Sequence, residues 1–222
     1  MKYLYILLAL VFLEIILQIG YALIYPKADP FEGRGRESVA TDRVICVGDS
    51  VVWGVGATSK SKSFPSQLSK LMGHESVRNL GEFSATSEDA LSMVRKISRY
   101  ASGTIIVHAG YNDDKVPSNH GLRKLMIVRL LLKPFPMRKP TVMEFADTIS
   151  DIYNECKKNG VKVIFLTIST KQEWTRINLM NSRLMDYPNT IRINLKPEHF
   201  VNYIHLNDAG YAEMARQVSH GL

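Results

Sequence analysis

The sequence predicts an α/β protein built on a five-stranded parallel sheet with helices on both faces. Three observations carry that expectation. Five short apolar runs alternate with segments whose apolar residues recur at helical spacing. The runs are nearly continuous rather than alternating, as strands buried on both faces are. The pattern fills residues 43–222, a length that suits one compact domain with a sizeable core.

The first strand is Val44-Ile45-Cys46-Val47, which runs straight into Gly48-Asp49-Ser50. Ser63–Met72 comes next as a helix, with Phe64, Leu68, Leu71 and Met72 on one side. Val77–Leu80 is the second strand, leading into a Gly-Glu-Phe-Ser-Ala-Thr loop. Ser87–Arg99 is a helix with Glu88 and Asp89 in its first turn, where acids suit the helix dipole. Thr104–Ala109 is the third strand and ends in Gly110-Tyr111-Asn112-Asp113. Thr141–Asn159 is a helix with a Thr141/Glu144 capping box and Gly160 as its stop. Val161–Ile168 is the fourth strand, Gln172–Met185 a helix and Thr190–Leu195 the fifth strand. A loop then holds Asn202-Tyr203-Ile204-His205, and Asn207-Asp208 caps a last helix over Ala209–Val218.

Two stretches stand outside this alternation. Within residues 1–25, Tyr3–Tyr25 is almost unbroken apolar sequence, interrupted by Glu14, Gln18 and Gly20, with Lys2 before it. As a helix, Tyr3–Tyr25 would span about 35 Å, enough to cross a hydrocarbon core of ~30 Å. We read it as an uncleaved, single-pass membrane anchor, with residues 26–42 as a tether. Lys27, Arg34, Arg36 and Arg43 lie after it, and the positive-inside rule alone would place the domain in the cytoplasm. The very short N-terminal flank, as in bacterial anchors that export the domain behind them, favours a periplasmic or extracellular domain. The second stretch, Lys115–Pro140, has seven Lys or Arg residues interleaved with apolar ones and no acid. It fits a basic arm resting on a membrane surface, and equally a helix packed on the domain with its charges solvated.

The net charge of +7 permits an anionic partner without choosing one. No base-stacking or groove-reading motif points to nucleic acid. Cys46 and Cys156 lie in different elements and form neither a zinc pattern nor a redox pair, so no disulfide is expected. Asp113 and Asp114 lack a second carboxylate or histidine cluster, so no metal is expected.

In an open α/β sheet, the loops after the strand C-termini gather on one edge. Here those loops bring Ser50, Ser84 and Asn112 to that edge, and His205 precedes the final helix. A serine hydroxyl becomes a nucleophile when a base takes its proton, and histidine is the usual base. An Asn amide and backbone N–H groups serve as oxyanion donors. These are the parts for acyl transfer. Taken alone, Ser50 could equally be a loop serine and His205 a loop histidine. His108 is expected as a strand residue near the sheet edge, and Asp49 as a turn-stabilising acceptor.

Val47-Gly48-Asp49-Ser50, Gly110-Tyr111-Asn112-Asp113 and His205-Leu206-Asn207-Asp208-Ala209-Gly210-Tyr211 occur in that order. Together they resemble the SGNH, or GDSL-type, serine hydrolases over about Arg43–Leu222. The resemblance implies a three-layer, flavodoxin-like α/β/α fold and no cofactor. It makes Ser50 the nucleophile, His205 the base, and Asn112 with the Ser50 N–H part of the oxyanion hole. The family's remaining oxyanion donor is a glycine N–H, and Ser84 stands at that position, with Gly81 as the alternative. The implied activity is hydrolysis of an ester on a small molecule, lipid or glycan. A non-hydrolytic protein binding an acylated glycan or lipid, or an O-acetyltransferase, are the alternatives.

One departure bears directly on activity. The family's last motif places an Asp three residues before the histidine, and this chain has Asn202. The Asn carbonyl is expected to accept the Nδ1–H of His205, without the charge that would stabilise an imidazolium. Replacing the acid of such a triad by its amide can cost ~10⁴ in rate. Three outcomes stay open: a Ser50–His205 dyad oriented by a backbone carbonyl, low activity, or a domain that is no longer an esterase. Asp208 reads as a helix cap.

Overall fold

A computed structural model describes residues 2–24, 37–73, 76–114 and 141–222. The basic stretch Lys115–Pro140 lies outside the described residues, as does most of the expected tether.

Five parallel strands form one sheet in the order β2-β1-β3-β4-β5. They are β1 Val44–Gly48, β2 Val77–Gly81, β3 Thr104–His108, β4 Lys162–Leu166 and β5 Thr190–Ile191. The expected α/β class and five-stranded parallel sheet are therefore present. β1 lies between β2 and β3, and Gly48 pairs with both Gly81 and His108. Its residues are buried throughout, which is why the sequence there is continuously apolar.

The helices are α1 Lys2–Ile24, α2 Glu37–Thr41, α3 Ser50–Trp53, α4 Phe64–Leu71 and α5 Ser87–Ile97. They continue as α6 Val142–Lys158, α7 Thr175–Leu184 and α8 Asp208–Gly221. α5 packs on α6, and α4 packs on α8. Thr86/Asp89 and Thr141/Glu144 form reciprocal capping boxes at the starts of α5 and α6. The core holds Ile45, Val52, Phe64, Val94, Ile105, Phe145, Ile152, Phe165 and Tyr211.

Three features differ from the sequence expectation. β5 is much shorter than Thr190–Leu195: beyond Ile191, the Ile193 N–H leaves the ladder and donates to Thr167 Oγ1 (2.8 Å). The end of the expected tether is structured instead, because α2 sets Val39 fully into the core. Asp42, also buried, receives Ser76 and Arg78 from the entry to β2 and β2 itself. Third, among the described residues no helix is long and apolar enough to cross a membrane. The anchor expected over residues 1–25 therefore gains no support there, although α1 is one continuous helix of 23 residues.

Candidate active site

Ser50 is placed by the end of β1. A Cβ on Gly48 would fall 2.0 Å from the His108 carbonyl oxygen, so only glycine lets β1 run this close to β3. The next N–H, of Asp49, donates to that same carbonyl (3.2 Å). Asp49 then caps α3, its Oδ1 accepting from Val51 N–H at 2.9 Å. Asp49 is thus the turn acceptor expected, and it also meets His108 Nδ1 at 3.3 Å with both side chains buried. His108 is the last residue of β3, at the sheet edge where the strands end, as expected, and it is 2% exposed.

His205 is placed by a tight loop. Phe200 and Leu206 form an antiparallel bridge, and Val201 N–H donates to the His205 carbonyl (2.9 Å). Within that loop Asn202 Oδ1 accepts from the N–H groups of Ile204 (3.1 Å) and His205 (2.9 Å). The other end of the ring meets the serine, with His205 Nε2 2.9 Å from Ser50 Oγ. That is the distance nucleophile–base pairs require. Two residues separated by 155 positions are brought into hydrogen-bond contact.

The orientation of Asn202 reverses one expectation. Its amide nitrogen, not its carbonyl, faces His205 Nδ1, at 3.0 Å. The physical reason is local. Two backbone N–H groups need the carbonyl oxygen, and turning the amide over would set donors against donors. The amide therefore donates to Nδ1, and the proton of a neutral His205 sits on Nε2, donated to Ser50 Oγ. In that tautomer Nε2, the nitrogen that faces Ser50, has no lone pair with which to take the serine proton. A carboxylate would satisfy the same two N–H groups with one oxygen and accept Nδ1–H with the other. The sequence held the signal for this: an Asn whose side chain bonds the N–H two residues on is a common turn motif.

Several bonds hold the serine and histidine segments together. Tyr211 Oη, on α8, donates to the Val55 carbonyl (2.7 Å). Thr58 donates through its N–H (2.9 Å) and hydroxyl (2.6 Å) to the two carboxylate oxygens of Asp208. Those Thr58 bonds hold the Asp208 carboxyl below its ordinary range. Asn207, not Asp208, is the helix cap, accepting from Gly210 N–H at 2.9 Å. The role expected for Asp208 is thereby corrected to a clamp between segments.

Asn112 lies just after β3. Its amide donates to the Ala85 carbonyl (2.9 Å), which ties the loop after β3 to the loop after β2. Asn112 is buried and makes no direct hydrogen bond to Ser50 or His205 among the described residues. Ser84 is the one described non-glycine residue with positive φ, at 60°. That left-handed conformation is the one glycine takes without strain. The N–H of Gly81, the alternative donor, is given to Asn79 Oδ1 (2.9 Å).

Asp113 is buried and accepts both the N–H (2.8 Å) and the hydroxyl of Ser87, fastening α5 beneath the site. Burial pushes its carboxyl up to about 6, against the opposing pull of the Ser87 bonds. Cys46 and Cys156 are buried free thiols, and burial pushes Cys156 up to about 12 and Cys46 higher still. Neither is a thiolate near neutral pH. Among the described residues, no group of three or more His, Cys, Asp or Glu side chains is placed to hold a metal ion.

No protein-family model matches the chain, and no curated protein matches it. Solved structures do. A protein assigned to the lipolytic G-D-S-L family from Desulfitobacterium hafniense superposes with a TM-score of 0.61 at 16% identity, over 81% of this chain and 98% of that one. A lipolytic G-D-S-L family member from Veillonella parvula gives 0.61 at 15% identity, over 80% and 96%. The fold is that of the G-D-S-L lipolytic proteins. An acetyl xylan esterase shares it, with a TM-score of 0.57 and 14% identity over 81% of this chain and 98% of that one.

Proposed function

We propose that this chain is a membrane-anchored serine hydrolase of carboxylic esters with slow turnover. The observation that carries the reading is Ser50 Oγ at 2.9 Å from His205 Nε2, at the sheet edge where β1 ends. Ser50 attacks the ester carbonyl while His205 takes its proton. The protonated ring then returns that proton to the leaving alcohol, and water deacylates the serine in a second, mirror-image round. Asn112, with the N–H groups of Ser50 and Ser84, is assigned to the oxyanion. Each round requires His205 to leave its resting tautomer, so turnover is slow.

The substrate we favour is an O-acetyl group on an envelope glycan or an acyl ester of a lipid, in keeping with the acetyl xylan esterase among the structural neighbours. The anchor is assigned to α1, whose Leu10, Val11, Phe12, Leu13, Ile15 and Ile16 are 40–65% exposed. Such a run of open apolar side chains is favourable in lipid. We assign the domain to the outer side of the membrane, and a C-terminal reporter active only in the cytoplasm would overturn that.

The test is p-nitrophenyl acetate turnover by the full chain. Wild type should exceed Ser50→Ala, and a fluorophosphonate probe should label Ser50. Equal rates for the two proteins would sink the reading. Asn202 favours a second reading, a pocket that binds acylated ligands without cleaving them. Saturable ligand binding with no probe labelling would establish it.

A further inference from the structure

We propose that the Ser50–His205 pocket binds carboxylate anions in preference to neutral esters, and that Asn202 sets this preference. The proposal rests on the reading of Ser50 and His205 as the site, but it concerns binding rather than turnover. Its basis is the position of each proton in the hydrogen-bond chain. Asn202 Oδ1 is committed to the N–H groups of Ile204 and His205, so its Nδ2 donates to His205 Nδ1. Nε2–H then donates to Ser50 Oγ, and the serine is the acceptor in that contact. The hydroxyl hydrogen of Ser50 is released, and no other bond of that hydroxyl occurs among the described residues.

The same strand ends carry further donors. Asn112 uses one of its two amide hydrogens on the Ala85 carbonyl. The Ser50 N–H donates no backbone hydrogen bond among the described residues. Ser84 donates no backbone hydrogen bond among the described residues. The strand ends around Ser50 are therefore supplied with donors, while the nitrogen of His205 that faces Ser50, Nε2, carries a proton. An ionised carboxylate is acceptor-only and complements such a set. Its charge makes each bond roughly twice as strong as the same bond to an ester carbonyl. The chain's net charge of +7 acts in the same direction.

Asn202→Asp would reverse every step. The carboxylate would hold Nδ1–H, leave Nε2 to take the Ser50 proton, remove one donor from the pocket, and add a negative charge nearby. The residue that slows hydrolysis is thus the one that makes the pocket an anion site.

The test uses the full chain at pH 7.5 with sodium butyrate, methyl butyrate, and sodium chloride at matched ionic strength. Binding is read by thermal shift, and the His205 tautomer by ¹⁵N-histidine NMR. Butyrate should bind saturably, at least about tenfold tighter than methyl butyrate. Ser50→Ala should weaken it several-fold, and Asn202→Asp by about tenfold or more. The wild-type ring should be protonated on Nε2, and the Asn202→Asp ring on Nδ1. The proposal is overturned if butyrate acts no differently from chloride. It is also overturned if Asn202→Asp binds as tightly as wild type, or if the wild-type ring is protonated on Nδ1. The outcomes separate from those of the hydrolase reading. Ester turnover gained by Asn202→Asp without butyrate binding by wild type leaves the hydrolase and removes the anion site. Butyrate binding with no turnover in either protein does the opposite.

Discussion

On the proposed reading of the site, Asn202→Asp should raise a slow ester turnover to a fast one. The substitution keeps the shape of the side chain. One carboxylate oxygen replaces Oδ1 as acceptor for the N–H groups of Ile204 and His205, at 3.1 and 2.9 Å. The other replaces Nδ2, 3.0 Å from His205 Nδ1, and changes that contact from donation to acceptance. The proton of a neutral ring moves to Nδ1, and Nε2 presents its lone pair to Ser50. The carboxylate also stabilises the imidazolium that forms as Ser50 attacks. In a serine triad the reverse substitution costs ~10⁴, equivalent to about 5.5 kcal/mol of barrier. We therefore expect kcat/KM for p-nitrophenyl acetate to rise by about 10³ to 10⁴. Thermal stability should change little, because both side-chain bonds to the backbone survive. Asn202→Ala is the control: it loses both backbone hydrogen bonds, costs about 1–3 kcal/mol of stability, and gains no rate. Initial rates are measured on the full chain, with Ser50→Ala as the blank. A rate for Asn202→Asp within about threefold of a wild-type rate that Ser50→Ala abolishes would refute the tautomer argument. Another group would then be orienting His205.

The same geometry sets the effect of three other substitutions. Ser84→Gly should raise stability by about 1 kcal/mol, or roughly 2–4 °C in Tm, because it relieves a left-handed serine; a lower Tm would mean the side chain makes a compensating contact. Asp208→Ala should lower kcat several-fold with an unchanged circular dichroism spectrum, since it releases the Thr58 clamp between the Ser50 and His205 segments. Its carboxyl is held low, so the clamp is lost only as pH falls through that depressed value, and the rate from pH 5 to 9 owes nothing to its titration. Asp113 works in the opposite sense: its folded carboxyl lies at about 6, above an unfolded value of ~3.9. The stability it contributes is complete below ~3.9 and is lost as pH rises through about 6, a swing of about 3 kcal/mol. Chemical denaturation from pH 4 to 8 should show that decline in wild type and a flatter profile in Asp113→Asn; parallel profiles would refute the assignment.

The sequence by itself determined the architecture and named the candidate residues of the site. Continuous apolar runs such as Val44–Val47 have one use in a chain this long, as strands buried on both faces, and the helical spacing between them fixes a parallel sheet. Parallel connection then gathers Ser50, Ser84 and Asn112 at one edge, since every strand ends on the same side. Gly48-Asp49-Ser50 was legible because each residue is chosen by its own backbone: close approach, cap, helix start. The tertiary structure decided what local pattern cannot carry. The Ser50–His205 contact spans 155 positions and depends on how α8 lies against the segment after Ser50. Asp208 looked like a cap because its clamp partner, Thr58, is 150 residues away. The shortness of β5 depends on the Thr167 hydroxyl drawing the Ile193 N–H out of the ladder. The direction in which the Asn202 amide points depends on a hydrogen-bond count: two N–H groups compete for one carbonyl oxygen, and their positions fix which atom is left to face His205.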